Sequence, residues 1–559
     1  MINILDLNFN KMQFIKKVIE QNDPRFIRKL GILESLADEE LLNNNLTTTT
    51  ATLISIDKTM NIDLTLLKKA LFEWINTHQL LQATTYRLLD KKTQKSSINM
   101  PKYFVRIEKN IEDYNNFEFL ENTANSLNWS SLTETELKTP LDFINGPLWR
   151  MKVLRMNQTS EFALIFTISN SISDGRNSFS LMAQFLSILE KVMSPEKNLT
   201  KEDRQEIPLM DSSDSIVEKL QMEGKLKINS MNLIDSYHLW DKVVNRVTTK
   251  SGYKMNGVYG RIEHFILEKM KLDKLIQKMK TNTSGAKLTS LLTVIICIAL
   301  KRTCLNNGVN DIPLEDFVIA MPVCLRGKLN IDNLNMGSHI GMCESLVRFS
   351  SRKGKVQKDA KMCFIKKLVL FIFRSLYYQA LFLILSVLCF SIRRVSKLEV
   401  KLIEKTRKVS EGYKFLEVDL EDDREDFWAL VEENSKNLHK KIENNCELGI
   451  PKREIQLLDI FLRNNFNFSS FNLVNFCVNN LGKMKSSTYL SDESRIRIVE
   501  YYMCQPCMET RFSPPLHFGI TTVNGNLCCA ISFSEKIYTK EFIKDLKLLI
   551  LKLIQDIIE

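Results

Sequence analysis

The segment at residues 147–192 restricts the fold more than any other part of the chain. Pro147-Leu148-Trp149-Arg150 opens a strand over 151–154. A second strand over 162–169 alternates Phe162, Leu164, Phe166 and Ile168 on one face, the period of a half-buried strand. The polar turn Ser169-Asn170-Ser171-Ile172-Ser173-Asp174-Gly175 follows, and then a helix from about 177 to 192. Strand, tight polar turn and helix in this order point turn residues into a cleft while the flanking elements stay rigid.

Mixed elements fill the rest of the sequence. Residues 11–41 read as helix and 47–56 as strand. An amphipathic helix over 62–77 carries Leu64, Leu66, Leu67, Leu71 and Trp74 on its apolar side. Alternation returns near 103–107, and 195–255 is a polar crossover. The second half repeats the pattern with a strand at 261–267, helices at 270–280 and 288–302, and a strand at 316–321. A strand at 414–418 and a helix at 424–443 come next. Strands at 473–478, 495–503, 516–522 and 527–533 precede a last helix at 540–557. This order predicts an α/β (α+β) protein built from mixed sheets.

At 559 residues the chain is too long for one compact core, which predicts two lobes. The net charge of +11 rests on lysines spread along helices. It suits a solvated basic surface, or attraction to an acidic membrane or an anionic cofactor. No zinc-finger, RNP or basic-zipper pattern accompanies the charge, which argues against nucleic acid as a partner. Asp6, Asn8 and Asn10 interrupt any secretory-type apolar core at the N-terminus. Among 12 scattered cysteines, Cys504-Gln-Pro-Cys507 is a lone CxxC without a second pair at zinc spacing, so no metal site is expected. Reduced structural thiols in a cytosolic setting are the reading preferred.

The turn at 169–175, with GPLWRMKVL before it and an amphipathic helix after it, resembles the HHxxxDG region of the CoA-dependent acyltransferase superfamily. That superfamily includes alcohol acetyltransferases, BAHD acyltransferases, chloramphenicol acetyltransferase and condensation domains. Other landmarks are similar and fall in order: RKLGILE at 28–34, THQLLQATTYR at 77–87, MPVCLRGKL at 321–329, EDFWALVEENSKNLHKKIE at 425–443, VNNLGKM at 478–484 and TTVNGNLCCAISFSE at 521–535.

The resemblance implies a two-lobed chloramphenicol-acetyltransferase-like fold, with lobes at 1–240 and 255–559 and a tunnel between them. It implies acyl-CoA as co-substrate, with no permanently bound cofactor, and an alcohol as acceptor. It also implies a structural role for Asp174 and Gly175, with Asp174 in a buried ion pair with Arg326. One departure alters the chemistry. Ser169 stands at the first histidine of the motif and Asn170 at the catalytic one. A carboxamide cannot take up a proton near neutral pH, and general-base catalysis is worth roughly 100- to 10,000-fold. Three readings stay open: a catalytically silent homologue that binds a ligand or acts as a scaffold; an acyltransferase in which Asn170 only orients the acceptor; and an enzyme using another base. Of the six histidines, His339, in the segment after Arg326, is the substitute to examine first. His78 has no catalytic role, and no GxSxG elbow supports a hydrolase.

An insertion at 352–412 separates two similar segments of the second lobe. Its stretch 375–392 is uncharged and long enough, at ~18 residues, to be a membrane candidate. A single span would place two halves of one sheet on opposite sides of the bilayer. An interfacial or re-entrant helix over 368–392, a helix packed on protein, and a true span are the alternatives. The first predicts attachment to the cytoplasmic side of an intracellular membrane and a lipid-like acceptor.

Overall fold

The 10-residue strand Thr47–Ile56 is the centre of the architecture, because strands from both halves of the chain pair with it. The computed structural model describes residues 25–35, 37–38, 47–87, 102–107, 116–121, 127–143, 145–156, 160–194, 205–227, 258–307, 316–348, 424–448, 475–491, 493–508 and 514–559. The described residues of Met1–Pro313, Phe317–Val347 and Trp428–Glu559 cluster as one unit, and those of Leu314–Asp316 and Arg348–Phe427 as a second. The proposed insertion at 352–412, its 368–392 helix and the expected strand at 414–418 lie outside the described residues.

Strands and helices are numbered along the chain. A small sheet of order β1-β4-β3 joins β1 (Phe26–Lys29), β3 (Ala83–Arg87) and β4 (Lys102–Arg106). A five-stranded sheet of order β13-β2-β7-β6-β5 joins β2 (Thr47–Ile56), β5 (Phe117–Glu121), β6 (Trp149–Met156), β7 (Glu161–Ser169) and β13 (Ile496–Cys504). A six-stranded sheet of order β11-β10-β12-β15-β16-β9 holds β9 (Arg261–Leu267), β10 (Asp316–Cys324), β11 (Ile340–Arg348), β12 (Phe476–Met484), β15 (Leu516–Val523) and β16 (Asn526–Phe533). β8 (Val258–Tyr259) and β14 (Cys507–Met508) form a short ribbon. The helices are α1 (Leu64–Asn76), α2 (Trp129–Lys138), α3 (Gly175–Met193), α4 (Ser213–Met222), α5 (Lys269–Asn282), α6 (Leu288–Asn306), α7 (Arg326–Leu329), α8 (Arg424–Glu443) and α9 (Lys540–Ile558).

One expected element is corrected. Phe26–Lys29 is strand, not part of a helix over 11–41, and it pairs antiparallel with β4 from Phe26 opposite Val105 to Lys29 opposite Tyr103. A four-residue run has too little intrinsic preference to resist a sheet edge that offers backbone partners.

α1 starts where the Asp63 carboxylate accepts from the Leu66 amide at 2.8 Å, and it buries Leu67, Ala70, Leu71, Trp74 and Ile75 along one stripe. Trp74 packs edge-on against Trp149, Phe166 and Phe185 at ring separations of 5.9, 5.8 and 5.5 Å. These contacts tie α1 to β6, β7 and α3, so the strand–turn–helix segment stands on a rigid base. α6 is long and apolar enough to cross a membrane, but 72% of its apolar window is buried, and it packs on α9 as a core helix.

The two large sheets meet where β13 runs beside β15. A Cβ at Gly519 would collide with the Met503 carbonyl, so only glycine permits this approach. Thr521 Oγ1 donates to the Tyr501 carbonyl at 2.6 Å, and Asn524 Nδ2 donates to the Ile498 carbonyl at 2.6 Å. A side chain of β15 and one of the turn that follows it thus satisfy backbone groups on a strand of the other sheet.

Candidate active site

The polar turn between β7 and α3 is organised by one carboxylate. Asp174 is the N-cap of α3, its Oδ1 accepting from the Arg176 and Asn177 amides at 3.1 and 3.0 Å. Its Oδ2 accepts from Arg326 Nε at 2.9 Å, from Arg326 Nη2 at 2.7 Å and from the His339 amide at 3.2 Å. Burial raises the Asp174 pKa, but the Arg326 guanidinium and the bonds from Arg326 and Asn177 outweigh it, and the net shift is downward. The carboxylate is therefore held ionised at neutral pH.

Arg326 is 2% exposed. Besides its two bonds to Asp174, Nη1 donates to the carbonyls of Asp332 and Asn335 at 2.7 and 2.8 Å, and Nη2 to that of Gly337 at 3.3 Å. Five donors meet five acceptor contacts, the full capacity of a guanidinium. Asn177 extends the net, giving a 2.7 Å bond to the Asn333 carbonyl and accepting from Ser173 Oγ at 2.8 Å. Gly175 is required by space. A Cβ there would stand 2.7 Å from Met503 Sδ and 2.9 Å from a Leu481 methyl, so the turn packs directly on β12 and β13.

Ser169 is buried, with its hydroxyl 2.8 Å from that of Ser171. Asn170 is half-buried, and its Oδ1 accepts from Thr48 Oγ1 of β2 at 2.7 Å. The amide nitrogen that remains can donate hydrogen bonds but cannot accept a proton.

The structure brings His339 to Asp174 and Ser213. Its Nδ1 lies 2.8 Å from Ser213 Oγ. A Cβ at Gly337, whose φ is +134°, would stand 2.8 Å from Nε2, so the Gly337 backbone covers that nitrogen. Burial and the Arg326 charge push the His339 pKa down to about 4, against Asp174 and Glu34. Its bonds place it on the Asp174–Arg326 network, not on Asn170. The 28–34 landmark has a structural account there as well. Arg28 pairs with Glu34 through bonds of 2.7 and 2.6 Å, and the Glu34 carboxylate accepts from the Gly31 amide at 2.8 Å.

Sequence reasoning gave no role to His517 of β15. It is buried beside Asn479, Met503, Gln505, Phe518 and Gly519, with no room among them for a water molecule. The detectable signal was its i, i+2 spacing from a strand glycine, the mark of a face on which another backbone approaches.

His78 is buried against Gln184, its Nε2 2.7 Å from Oε1, with its pKa pushed down to about 4 by burial. The Cys504 and Cys507 thiols are buried with raised pKa values, Cys504 to about 12, which suppresses the thiolate needed for a nucleophile or metal ligand. Among the described residues no group of three or more His, Cys, Asp or Glu side chains is placed to hold a metal ion.

No family model matches the chain, and no curated protein matches it by sequence. Solved structures do match it. The TRI3 trichothecene 15-O-acetyltransferase from Fusarium sporotrichioides aligns over 95% of this chain and 94% of its own, with a TM-score of 0.58 and 11% identity. The fold is one shared with this acetyltransferase and with condensation domains. The EpoB cyclization-docking bidomain from Sorangium cellulosum aligns over 100% of this chain and 91% of its own, with a TM-score of 0.55 and 11% identity. Polyketide synthase associated protein 5 from Mycobacterium tuberculosis aligns over 95% and 99%, with a TM-score of 0.54 and 10% identity. At these identities the likeness is one of fold alone.

Proposed function

We propose that the protein transfers an acyl group from a CoA thioester to an alcohol, with Asn170 as an orienting group at the reacting position. The observation that carries this reading is the desolvated Asp174–Arg326 pair, saturated with hydrogen bonds behind the turn. Buried ion pairs are a weak source of stability compared with apolar packing. What this one supplies is a single fixed geometry for the turn, which a site needs and a packing corner does not. In this reading the Asn170 amide, its oxygen held by Thr48, donates to the acceptor oxygen or to the oxyanion that develops on the thioester carbonyl.

A second reading, a catalytically silent homologue that binds a ligand or partner, is favoured by the lack of any proton acceptor at Asn170. Labelled acyl-CoA incubated with the purified protein and a panel of alcohols separates the two. Turnover by the wild type, weakened in Asn170→Ala, supports the enzyme. Turnover that appears only in Asn170→His supports the silent homologue.

A lipid-like alcohol is the acceptor class that suits attachment through residues 368–392 to the cytoplasmic side of an intracellular membrane. The uncharged run with flanking lysines and arginines motivates this placement. Deleting 368–392 is expected to move the protein from the membrane pellet to the soluble fraction with its unfolding midpoint unchanged. Continued sedimentation with membranes would remove the anchor from the reading.

A further inference from the structure

We propose that the acceptor hydroxyl is an acidic one, a phenol or enol that arrives as its anion and is met by the Asn170 amide that Thr48 holds in place. The inference rests on the acyltransferase reading above and names its acceptor class. The hydrogen bond at Asn170 is the first argument. Its Oδ1 accepts from Thr48 Oγ1 at 2.7 Å. Thr48 is 2% exposed and sits within β2 opposite Ile168 of β7, so its hydroxyl has a fixed place. The carboxamide oxygen is thereby committed. The amide nitrogen, with two N–H donors and no protein partner among the described residues, is the group of this half-buried side chain that a ligand can meet. Such donors stabilise an anionic oxygen, but they cannot take the proton from a neutral one.

The surroundings are the second argument, because the other titratable groups about the turn are engaged or closed off. Both Asp174 oxygens are filled by Arg326, the His339 amide and the cap of α3. His339 Nδ1 lies on Ser213, and the Gly337 backbone covers Nε2. His517 is buried where no water molecule fits. Burial pushes the Cys324 thiol and the Tyr501 hydroxyl up, so neither ionises at neutral pH. Arg176 adds a positive charge. Its Nη2 donates to the Leu481 carbonyl at 3.2 Å, and no carboxylate pairs with it among the described residues. With Asp174 neutralised by Arg326, the turn is net positive, which favours an anion over a neutral hydroxyl.

Magnitudes choose between kinds of hydroxyl. A base missing from the site forfeits roughly 100- to 10,000-fold. At pH 7 a phenol with a pKa of about 10 is ionised to about one part in 1,000, a shortfall inside that range. An aliphatic hydroxyl, about as weak an acid as water, is ionised to about one part in 10⁹. That shortfall lies about 100,000-fold beyond it.

In the proposed step the acceptor gives its proton to solvent before it reaches the site. The anionic oxygen, accepting a hydrogen bond from Asn170 Nδ2, attacks the thioester carbonyl carbon and forms the new C–O bond. Collapse of the tetrahedral intermediate breaks the C–S bond, and CoA leaves as its thiolate, which takes a proton from solvent. One ester and one thiol result, and the proton released at the start is returned at the end.

The test uses the full chain, labelled acetyl-CoA and long-chain acyl-CoA, and two acceptor series. One is ring-substituted phenols graded in acidity below a pKa of about 10, the other aliphatic alcohols of similar size. Ester formation and thiol release are both read, above the rate without protein, between about pH 6.5 and 9.5. For each phenol kcat/KM is expected to rise about tenfold per pH unit up to that phenol's own pKa and to level off above it, so the break moves with the acceptor. Aliphatic alcohols are expected to react at least about 1,000-fold more slowly. Thr48→Val is expected to lower kcat for the phenols about tenfold with the thioester KM little changed, and Thr48→Ser to restore it. A break at one pH for every phenol would assign the proton to a group on the protein. That result, aliphatic alcohols reacting as fast as phenols, or a folded Thr48→Val with the wild-type kcat each overturns the inference and leaves the acyltransferase reading standing. No transfer by the wild type to any acceptor at any pH tested overturns both.

Discussion

Replacing Arg326 with Met is expected to destabilise the protein by about 3–5 kcal/mol, because it leaves the Asp174 carboxylate buried without its counter-charge. Desolvation is decisive here. Exposed ion pairs are worth about 0–1 kcal/mol, but Asp174 and Arg326 have side-chain exposures of 1% and 2%. Arg326→Lys is not expected to rescue. An ammonium has three donors and no planar fork, so it cannot reach Asp174 and the carbonyls of Asp332, Asn335 and Gly337 together. Asp174→Ala loses the same pair and also the cap of α3, worth about 1 kcal/mol more. Because the two side chains share one network, the double variant Asp174→Ala/Arg326→Met should cost clearly less than the sum of the singles. Denaturant unfolding of the three variants checks this. A single variant within about 1 kcal/mol of wild type would show that the pair does not hold the turn.

How much of this was legible in the sequence depends on how local each feature is. The strand–turn–helix segment was readable from alternation and turn chemistry because every interaction that defines it lies within a few residues. The Asp174–Arg326 contact joins residues 152 apart in the chain, and only the resemblance of the DG turn and the MPVCLRGKL segment linked them. Pairing of β13 with β2 had no local trace. The alternation of Ile496 and Ile498 announces a strand, but not that the strand leaves its own half of the chain to extend the five-stranded sheet. Register across a sheet is a non-local property, set by which face finds a core. His339 illustrates the converse. Its nearness to Arg326 along the chain was visible, but its ring turns to Ser213 behind the Gly337 backbone.

Acidification is expected to weaken the fold well before the Asp174 carboxylate is protonated. His78, His339 and His517 are buried, and each has a pKa near 4, against an ordinary value of 6.5. Burial is the largest cause in all three, since a charged imidazolium loses its hydration there. Between pH 6.5 and 4 the unfolded chain therefore binds more protons than the folded one, and stability falls as pH drops through that window. Each histidine contributes about 2 kcal/mol of the loss by pH 5, so the three together account for about 6 kcal/mol. His264, shifted down mainly by burial, acts in the same direction. Asp174 does not act in this range. Its folded pKa is depressed below 3.8, so its contribution is present above that value and is lost only at lower pH. The midpoint of denaturant unfolding is thus expected to fall steeply between pH 7 and 5, and His78→Gln should flatten the slope. A midpoint constant over that range would mean that the rings are solvated and can charge in place.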